Sequence, residues 1–277
     1  MGDSLKIDFD KLSHNYEDSL TSKMIPTIWC SGCSLGTNLQ SFIRGALSAG
    51  FDLDKELVMI SGIGCTGRAS GYVEADGFHV LHGRAIPFAT GVKYANPNLE
   101  VVVFSGDGDL FAIGGNHFIH AARRCIDMTV ICTNNSTYGL TGGQASPTSF
   151  VNTVTPTTIE KNDKPFNLVD LALGSGAAFV ARYTSAHYKI LPRIIKEALL
   201  TDGFAFIDLI SGCPAIYGKR NGYPTGEYMV NNFLETSVEI VPKEDNSHLL
   251  AENTTVEFDR TKGYTKIPIG VFRRESK

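Results

Sequence analysis

Four short runs along the chain are apolar at nearly every position: Leu57 to Ser61, Val101 to Ser105, Thr129 to Thr133 and Phe206 to Ile210. Polar or glycine-rich sequence follows each of them. A strand with one wet face alternates apolar and polar side chains, whereas an unbroken run suits a strand covered on both faces. Ala177 to Arg182 reads as one further strand. Helical stretches fall between the runs, at about residues 84–95, 114–125, 167–173 and 187–200. Upstream, from Gly36, Leu39, Phe42, Ile43, Ala46 and Leu47 recur at helical spacing, and Gly50 supplies a stop signal. Strands alternating with helices predict an α/β domain, with a mostly parallel sheet and helices on both faces.

The two ends differ from this middle. Residues 1–25 are polar and mixed, which predicts an N-terminal arm able to pack on a partner chain. After Cys213, the residues Gly222, Pro224 and Gly226 precede a short helical piece near 227–235, and polar sequence follows to Lys277. That tail is too thin for a core of its own. The expected division is therefore an arm (1–25), one binding domain (26–215) and an extension (216–277) packed on the domain or on a partner.

Composition narrows the function classes. A chain of 277 residues buries a full core without disulfides. With 43% hydrophobic and 19% charged residues and a net charge of −4, it is neither disordered in bulk nor basic enough to hold nucleic acid. No stretch has the roughly 18 apolar residues of a membrane span, and Met1 to Lys6 lacks an export signal's apolar core, so a cytoplasmic protein is expected. Six cysteines in such a chain point to metal or redox chemistry before disulfides.

In a parallel sheet, ligands collect beyond the carboxyl ends of the strands. Gly106-Asp107-Gly108-Asp109 follows one run and Asn134-Asn135-Ser136-Thr137-Tyr138-Gly139 follows the next. One helix bridges Asp107 and Asn135, so consecutive strands can deliver both to one crevice. Their oxygens suit a hard divalent cation, and the flanking glycines let backbone N–H groups approach phosphates, which proposes a magnesium-diphosphate anchor. Either motif alone is also an ordinary turn or loop cap.

The second constellation is sulfur. Cys30-Ser31-Gly32-Cys33 precedes the first helix, Cys65 follows the 57–61 run, and Cys213-Pro214 follows the 206–210 run. A CxxC alone fits a redox pair, half a zinc site or half an iron–sulfur site. Structural zinc usually takes two close pairs, and here the third and fourth cysteines are single and distant, which tilts the reading toward a cluster. Cys125 and Cys132 fall inside a predicted helix and strand, where small buried apolar residues are expected.

Gly106-Asp107-Gly108 followed by Asn134-Asn135 resembles the thiamine diphosphate motif. With Cys-x-Gly-Cys, Gly62 to Cys65, His82-Gly83-Arg84-Ala85, Tyr138-Gly139-Leu140-Thr141 and Ser211-Gly212-Cys213-Pro214 in order, the chain resembles the β subunit of the 2-oxoacid:ferredoxin oxidoreductases. The resemblance runs from about Ile25 to Pro214. It implies a thiamine diphosphate-binding fold of the diphosphate-domain type, with Asp107, the Asn135 side chain and the Thr137 carbonyl as Mg2+ ligands. It further implies Cys30, Cys33, Cys65 and Cys213 around a 4Fe-4S cluster. His82, Gly106, Gly108, Asp109, Gly139, Leu140 and Thr141 would then lie around the cofactor, with Leu140 against the thiazolium and Thr141 and the Gly139 backbone at phosphate.

The implied reaction is oxidative decarboxylation of a 2-oxoacid, with coenzyme A as co-substrate and ferredoxin as electron acceptor. Arg68, three residues beyond Cys65, matches the position where a basic residue meets the substrate's distal carboxylate, favouring 2-oxoglutarate over pyruvate. A bidentate guanidinium suits that task. No glutamate stands in a recognisable motif for the aminopyrimidine ring, so the resemblance implies an α subunit that supplies it and a β chain inactive alone. A pyruvate-specific member, a non-redox thiamine carboligase or decarboxylase, and a zinc-stabilised module without catalysis are the other readings. Gly62-x-Gly64-x-x-Gly67 also fits the dinucleotide fingerprint formally, but no helical periodicity opens at Gly67. For Asp109 the first expectation is a cap on the helix starting near 114, and the second a carboxylate supporting the cofactor site.

Overall fold

Parallel strands need crossovers, and the helices between the apolar runs supply them. The computed structural model describes residues 16–158, 161–241 and 251–275. Residues 1–15 of the expected arm, and 242–250 and 276–277 of the expected extension, lie outside the described residues. The strands are β1 (Leu57–Ser61), β2 (Asp76–His79), β3 (Glu100–Gly106), β4 (Met128–Asn134), β5 (Phe179–Thr184), β6 (Phe204–Ile210), β7 (Ser237–Glu239), β8 (Glu257–Asp259) and β9 (Gly263–Arg274). Their order is β2-β1-β3-β4-β6-β5-β9-β7, with β8 on β9. The run from β2 to β5 is parallel throughout, and β9 closes it antiparallel to β5.

Two cores sandwich this sheet. On one face α1 (Leu35–Ala49) and α6 (Leu191–Leu199) pack over Met59, Val102, Phe104 and Ile207. On the other, α3 (Ala85–Ala95), α4 (Gly115–Arg123) and α5 (Leu168–Ser175) cover Ile60, Val101, Val103, Val130 and Cys132. Alternate residues of each strand thus meet opposite helical layers, which is why the runs show no polar alternation. A Cβ on Gly45 of α1 would stand 2.7 Å from Ile195 Cγ2 of α6, so the close approach of these helices requires glycine there. Gly50, at φ 95°, ends α1 as its left-handed cap.

Three features differ from expectation. β2 carries no apolar signal because its residues are all exposed at the sheet edge. Cys125 lies past the end of α4, exposed and at φ 48°, rather than buried within a helix. There Cys125 N–H donates to Ala122 O and Ile126 N–H to Ala121 O, a helix-closing pair that places Cys125 in the left-handed position. Cys132 is buried as expected. The tail, expected as polar sequence after the short helix α7 (Gly226–Thr236), instead contributes β9, pairing β7 through Ile267–Ile269 and β5 through Gly270–Arg274. Pro268 and Gly270 hid this strand, since neither is usual within a sheet.

One buried ion pair ties the sheet to the rim. Arg182 Nε of β5 meets Asp208 Oδ2 of β6 at 2.7 Å, and the Asn134 side chain at the end of β4 donates to Asp208 Oδ1 at 3.0 Å. Arg182 also donates to Asn167 Oδ1 (2.9 Å) and to the Thr254 carbonyl (2.5 Å). Asp208→Ala leaves an uncompensated buried guanidinium. It is expected to destabilise the fold by about 3–5 kcal/mol, read as a lowered urea midpoint at unchanged m-value.

Candidate functional site

The register of β1, β3, β4 and β6 brings four strand ends side by side. Gly106 pairs with Thr133, and Asn134 with Ile210. The loops after these neighbouring strands carry Cys65, Asp107, Asn135 and Cys213 in that spatial order. Residues 106 and 135 are remote in sequence, but parallel pairing fixes both at the same edge.

Asp107 is the buried centre of the oxygen-bearing part, 1% exposed. Its Oδ1 accepts from Asn135 N–H (3.4 Å) and its Oδ2 from the Thr148 hydroxyl (2.5 Å). Burial pushes its pKa above the usual carboxylate value, while the Ser146 and Thr148 hydroxyls and the Asn135 N–H pull the other way. All of these partners are neutral, so a cation at this carboxylate would offset the desolvation. Asn135 Oδ1 accepts from Thr137 N–H at 3.3 Å, which folds the loop into a tight turn with its oxygens grouped. Tyr138 lies over Gly108, where any Cβ would overlap the ring, and its hydroxyl donates to Gly108 O at 3.4 Å. Burial beside Asp107 and Asp109 raises the phenol's pKa and keeps it a neutral donor.

Asp109 does not cap the helix that follows. A π-helical turn, Asp109–Ile113, separates it from α4, and its carboxylate points back into the rim. Oδ1 accepts from Ile63 N–H (3.0 Å) and Gly83 N–H (2.7 Å), Oδ2 accepts from Ser105 Oγ (2.9 Å), and His82 Nδ1 lies 2.8 Å from Oδ1. The carboxylate also explains part of the glycine pattern: a Cβ on Gly62 would overlap it, and one on Gly67 would overlap Gly62 O. Gly67 sits in a 3₁₀ turn, Thr66–Gly71, not at the start of an α-helix, so Gly62, Gly64 and Gly67 do not form a dinucleotide loop.

These groups enclose a cavity of about 180 Å³. Every residue expected around the cofactor lines it: His82, Gly106, Asp107, Gly108 and Asp109 on one side, and Asn135, Thr137, Gly139, Leu140 and Thr141 on the other. A second cavity of about 200 Å³ adjoins it, lined by Cys30, Cys33, Cys65 and Cys213. The two share Cys65, Asn135, Gly139 and Leu140 as their common wall. That wall is thin. A Cβ on Gly139 would stand 3.6 Å from Cys65 Sγ and 3.8 Å from Cys213 Sγ. Leu140, 54% exposed, projects where the cavities meet.

The four thiols are free and ring their cavity. Among the described residues no three Cys, His, Asp or Glu side chains are close enough to share one metal ion. A tetrahedral zinc with bonds near 2.3 Å would need its sulfurs about 3.8 Å apart. The Cys33 thiol is pushed up to about 12, first by burial and then by the neighbouring thiols, so any metal bound there would have to displace its proton.

Arg68 is half-buried on the 3₁₀ turn and lines neither cavity. Its Nε is buried without a hydrogen-bond partner among the described residues. Sequence reasoning missed Thr148, which meets Asp107 across a long loop, and Trp29, whose indole N–H donates to Cys65 O at 2.8 Å. Nothing in the pattern marks Thr148. Trp29 carried a signal, being the single tryptophan and adjacent to Cys30.

Residues 62–209 match the family described as thiamine pyrophosphate enzyme, C-terminal TPP binding domain. The chain is 48% identical over 233 residues to 2-oxoglutarate synthase subunit KorB of Methanothermobacter thermautotrophicus, covering 83% of this chain and 80% of that protein. It belongs to the 2-oxoacid:ferredoxin oxidoreductase β-subunit family. A second member, 2-oxoacid:ferredoxin oxidoreductase 2 subunit beta of Aeropyrum pernix, is 40% identical over 78% of this chain and 67% of its own length. A solved 2-oxoglutarate:ferredoxin oxidoreductase from Magnetococcus marinus, with 2-oxoglutarate, coenzyme A and succinyl-CoA bound, superposes with a TM-score of 0.81. It is 34% identical and covers 96% of this chain and 86% of its own. The thiamine-enzyme match takes in the oxygen-lined cavity and Cys65 but stops short of Cys30, Cys33 and Cys213.

The cysteines outside the cavities offer a check on this geometry. Burial raises the Cys132 pKa well above its usual value, so at pH 8 its thiolate is scarce as well as inaccessible. In native protein, iodoacetamide is expected to label exposed Cys125 and to spare Cys132 until urea unfolds the chain, as read by peptide mass mapping.

Proposed function

We propose that this chain is the β subunit of a 2-oxoglutarate:ferredoxin oxidoreductase. The assembled enzyme converts 2-oxoglutarate and coenzyme A to succinyl-CoA and CO2, and passes two electrons singly to ferredoxin. The observation that carries the reading is the thin wall: an oxygen-donor cavity and a four-thiol cavity share Gly139 and Leu140. A non-redox thiamine enzyme has no use for that adjacency.

Each residue then has a role. Asp107, the Asn135 side chain and the Thr137 carbonyl would hold Mg2+, which would offset the charge of a diphosphate. Gly108 keeps the backbone close to phosphate oxygens, with Gly106 beside it, and His82, braced by Asp109, completes the rim. Thr141 and the Gly139 backbone face the phosphates from the opposite loop, and Leu140 supports the thiazolium. Thiamine diphosphate, when bound, supplies the nucleophilic carbon and electron sink that decarboxylation of a 2-oxoacid requires. Cys30, Cys33, Cys65 and Cys213, which line the second cavity, would hold a 4Fe-4S cluster, and that group would supply a one-electron acceptor. Arg68 lines neither cavity but stands on the turn that Cys65 opens, with an unpaired buried Nε. By its likeness to the family's basic position it is the group that would receive the distal carboxylate of 2-oxoglutarate, which favours 2-oxoglutarate over pyruvate as substrate. The ring-activating carboxylate comes from the α subunit, so the chain binds its cofactors alone but turns over only in the αβ assembly.

Asp107→Asn removes the anionic metal ligand at nearly constant volume. It is expected to weaken Mg2+-dependent thiamine diphosphate binding by about 100-fold or more in titration calorimetry, with the circular dichroism unchanged. Dye reduction with 2-oxoglutarate is expected from the co-purified αβ protein and not from the β chain alone; full activity of β alone would sink the reading. In the assembly, Arg68→Leu is expected to cost roughly 10–100-fold in kcat/KM for 2-oxoglutarate, with a far smaller effect on pyruvate.

A further inference from the structure

The Cys30–Cys33 turn lies on an irregular segment ahead of α1, and Cys30 is exposed, yet the turn must present two thiols in register with Cys65 and Cys213. Two staples hold it. On one side Trp29 Nε1–H donates to Cys65 O at 2.8 Å, and Ile28 N–H donates to the Tyr72 hydroxyl at 3.1 Å. The Trp29 and Tyr72 rings meet edge to face with centroids 4.9 Å apart. On the other side Ser34 N–H donates to Gly212 O (3.2 Å), and Ser34 Oγ accepts from Gly212 N–H (2.9 Å). The turn is closed internally by Cys33 N–H to Cys30 O at 3.0 Å.

The first staple has an economy of position. Cys65 opens the 3₁₀ turn Thr66–Gly71 and Tyr72 closes it, so the accepting carbonyl and the supporting ring belong to one short segment. Tyr72 is 1% exposed and fixed in the core, whereas Trp29 is only half-buried. The more deeply buried ring therefore anchors the more exposed one.

We infer that Trp29 and Tyr72 form a clasp that positions the Cys30–Cys33 turn over Cys65, and that this clasp governs how tightly the four-thiol cavity retains its cluster. Both are positioning residues: Tyr72 acts through Trp29 and Ile28, and Trp29, which also lines the four-thiol cavity, holds the turn to Cys65 through its N–H. The inference rests on the cluster assigned under the proposed function. A site whose ligands are pre-placed loses less order on binding, and a ligand that swings free exposes iron to oxidants. Trp29→Phe keeps an aromatic ring and removes the N–H donor; Tyr72→Phe keeps the ring and removes only the acceptor for Ile28 N–H; Trp29→Ala removes both ring and donor.

The test uses the αβ assembly purified without oxygen. Iron and acid-labile sulfide are counted per β chain, and the half-life of the visible absorbance is followed in air. Thiamine diphosphate affinity and thermal unfolding are measured alongside. Trp29→Phe and Tyr72→Phe are expected to carry the wild-type iron but to bleach several-fold faster. Trp29→Ala is expected to bleach about tenfold faster or to be isolated with less than half the iron, by analogy with the loss of other supporting contacts at metal sites. Thiamine diphosphate affinity stays unchanged in all three. Wild-type bleaching rates in both phenylalanine variants would overturn the clasp while leaving the cluster intact, and those two variants decide the matter if Trp29→Ala does not fold. Wild-type protein with zinc, or with neither iron nor sulfide, would overturn the cluster assignment and the clasp together.

Discussion

One buried carboxylate keeps the rim of the site in shape. Asp109 gathers an N–H from the loop after β1, an N–H from the loop after β2 and a hydroxyl from β3, and the His82 ring nitrogen lies 2.8 Å from it. Loops beyond parallel strands have no ladder to hold them, because pairing stops where the strands end. A carboxylate accepts several donors at once, and in a dry environment each of those hydrogen bonds is stronger than in water. The position of Gly62, and hence of the turn that bears Cys65, follows from contact with this group.

The site itself is a partition between two kinds of donor. Hard oxygens from Asp107, Asn135 and Thr137 face one cavity, and soft sulfurs face the other. Neither set suits the other's guest, since thiolates prefer iron or zinc and carboxylates prefer magnesium. The wall between them is made of Cys65, Asn135, Gly139 and Leu140.

Much of this was legible along the chain. The unbroken apolar runs gave the central strands, because a strand covered on both faces leaves no polar alternation. The ligand-type residues were legible because Gly106 to Asp109, Asn134-Asn135 and the cysteines all follow, or stand just ahead of, such elements. β2 and β9 were not legible, one being a short exposed edge strand with Phe78 as its single large apolar residue and the other interrupted by Pro268 and Gly270. Asp109 was misjudged as a cap because its donors, Ile63, Gly83 and His82, come from elsewhere in sequence. Cys125 was misjudged because helix periodicity runs on past the point where backbone geometry closes α4.

The sequence by itself determined which residues are chemically able to hold a diphosphate, a divalent ion or a cluster, and which strands lie at the centre of the sheet. Those are properties of side-chain type and of local periodicity. Only the tertiary structure decided that the two sets of ligands share one wall, that Thr148 backs Asp107, and that Trp29 and Tyr72 tie the CxxC turn to Cys65. Such contacts join segments brought together by parallel pairing and crossover helices, and distances across a sheet are written in no local pattern of residues.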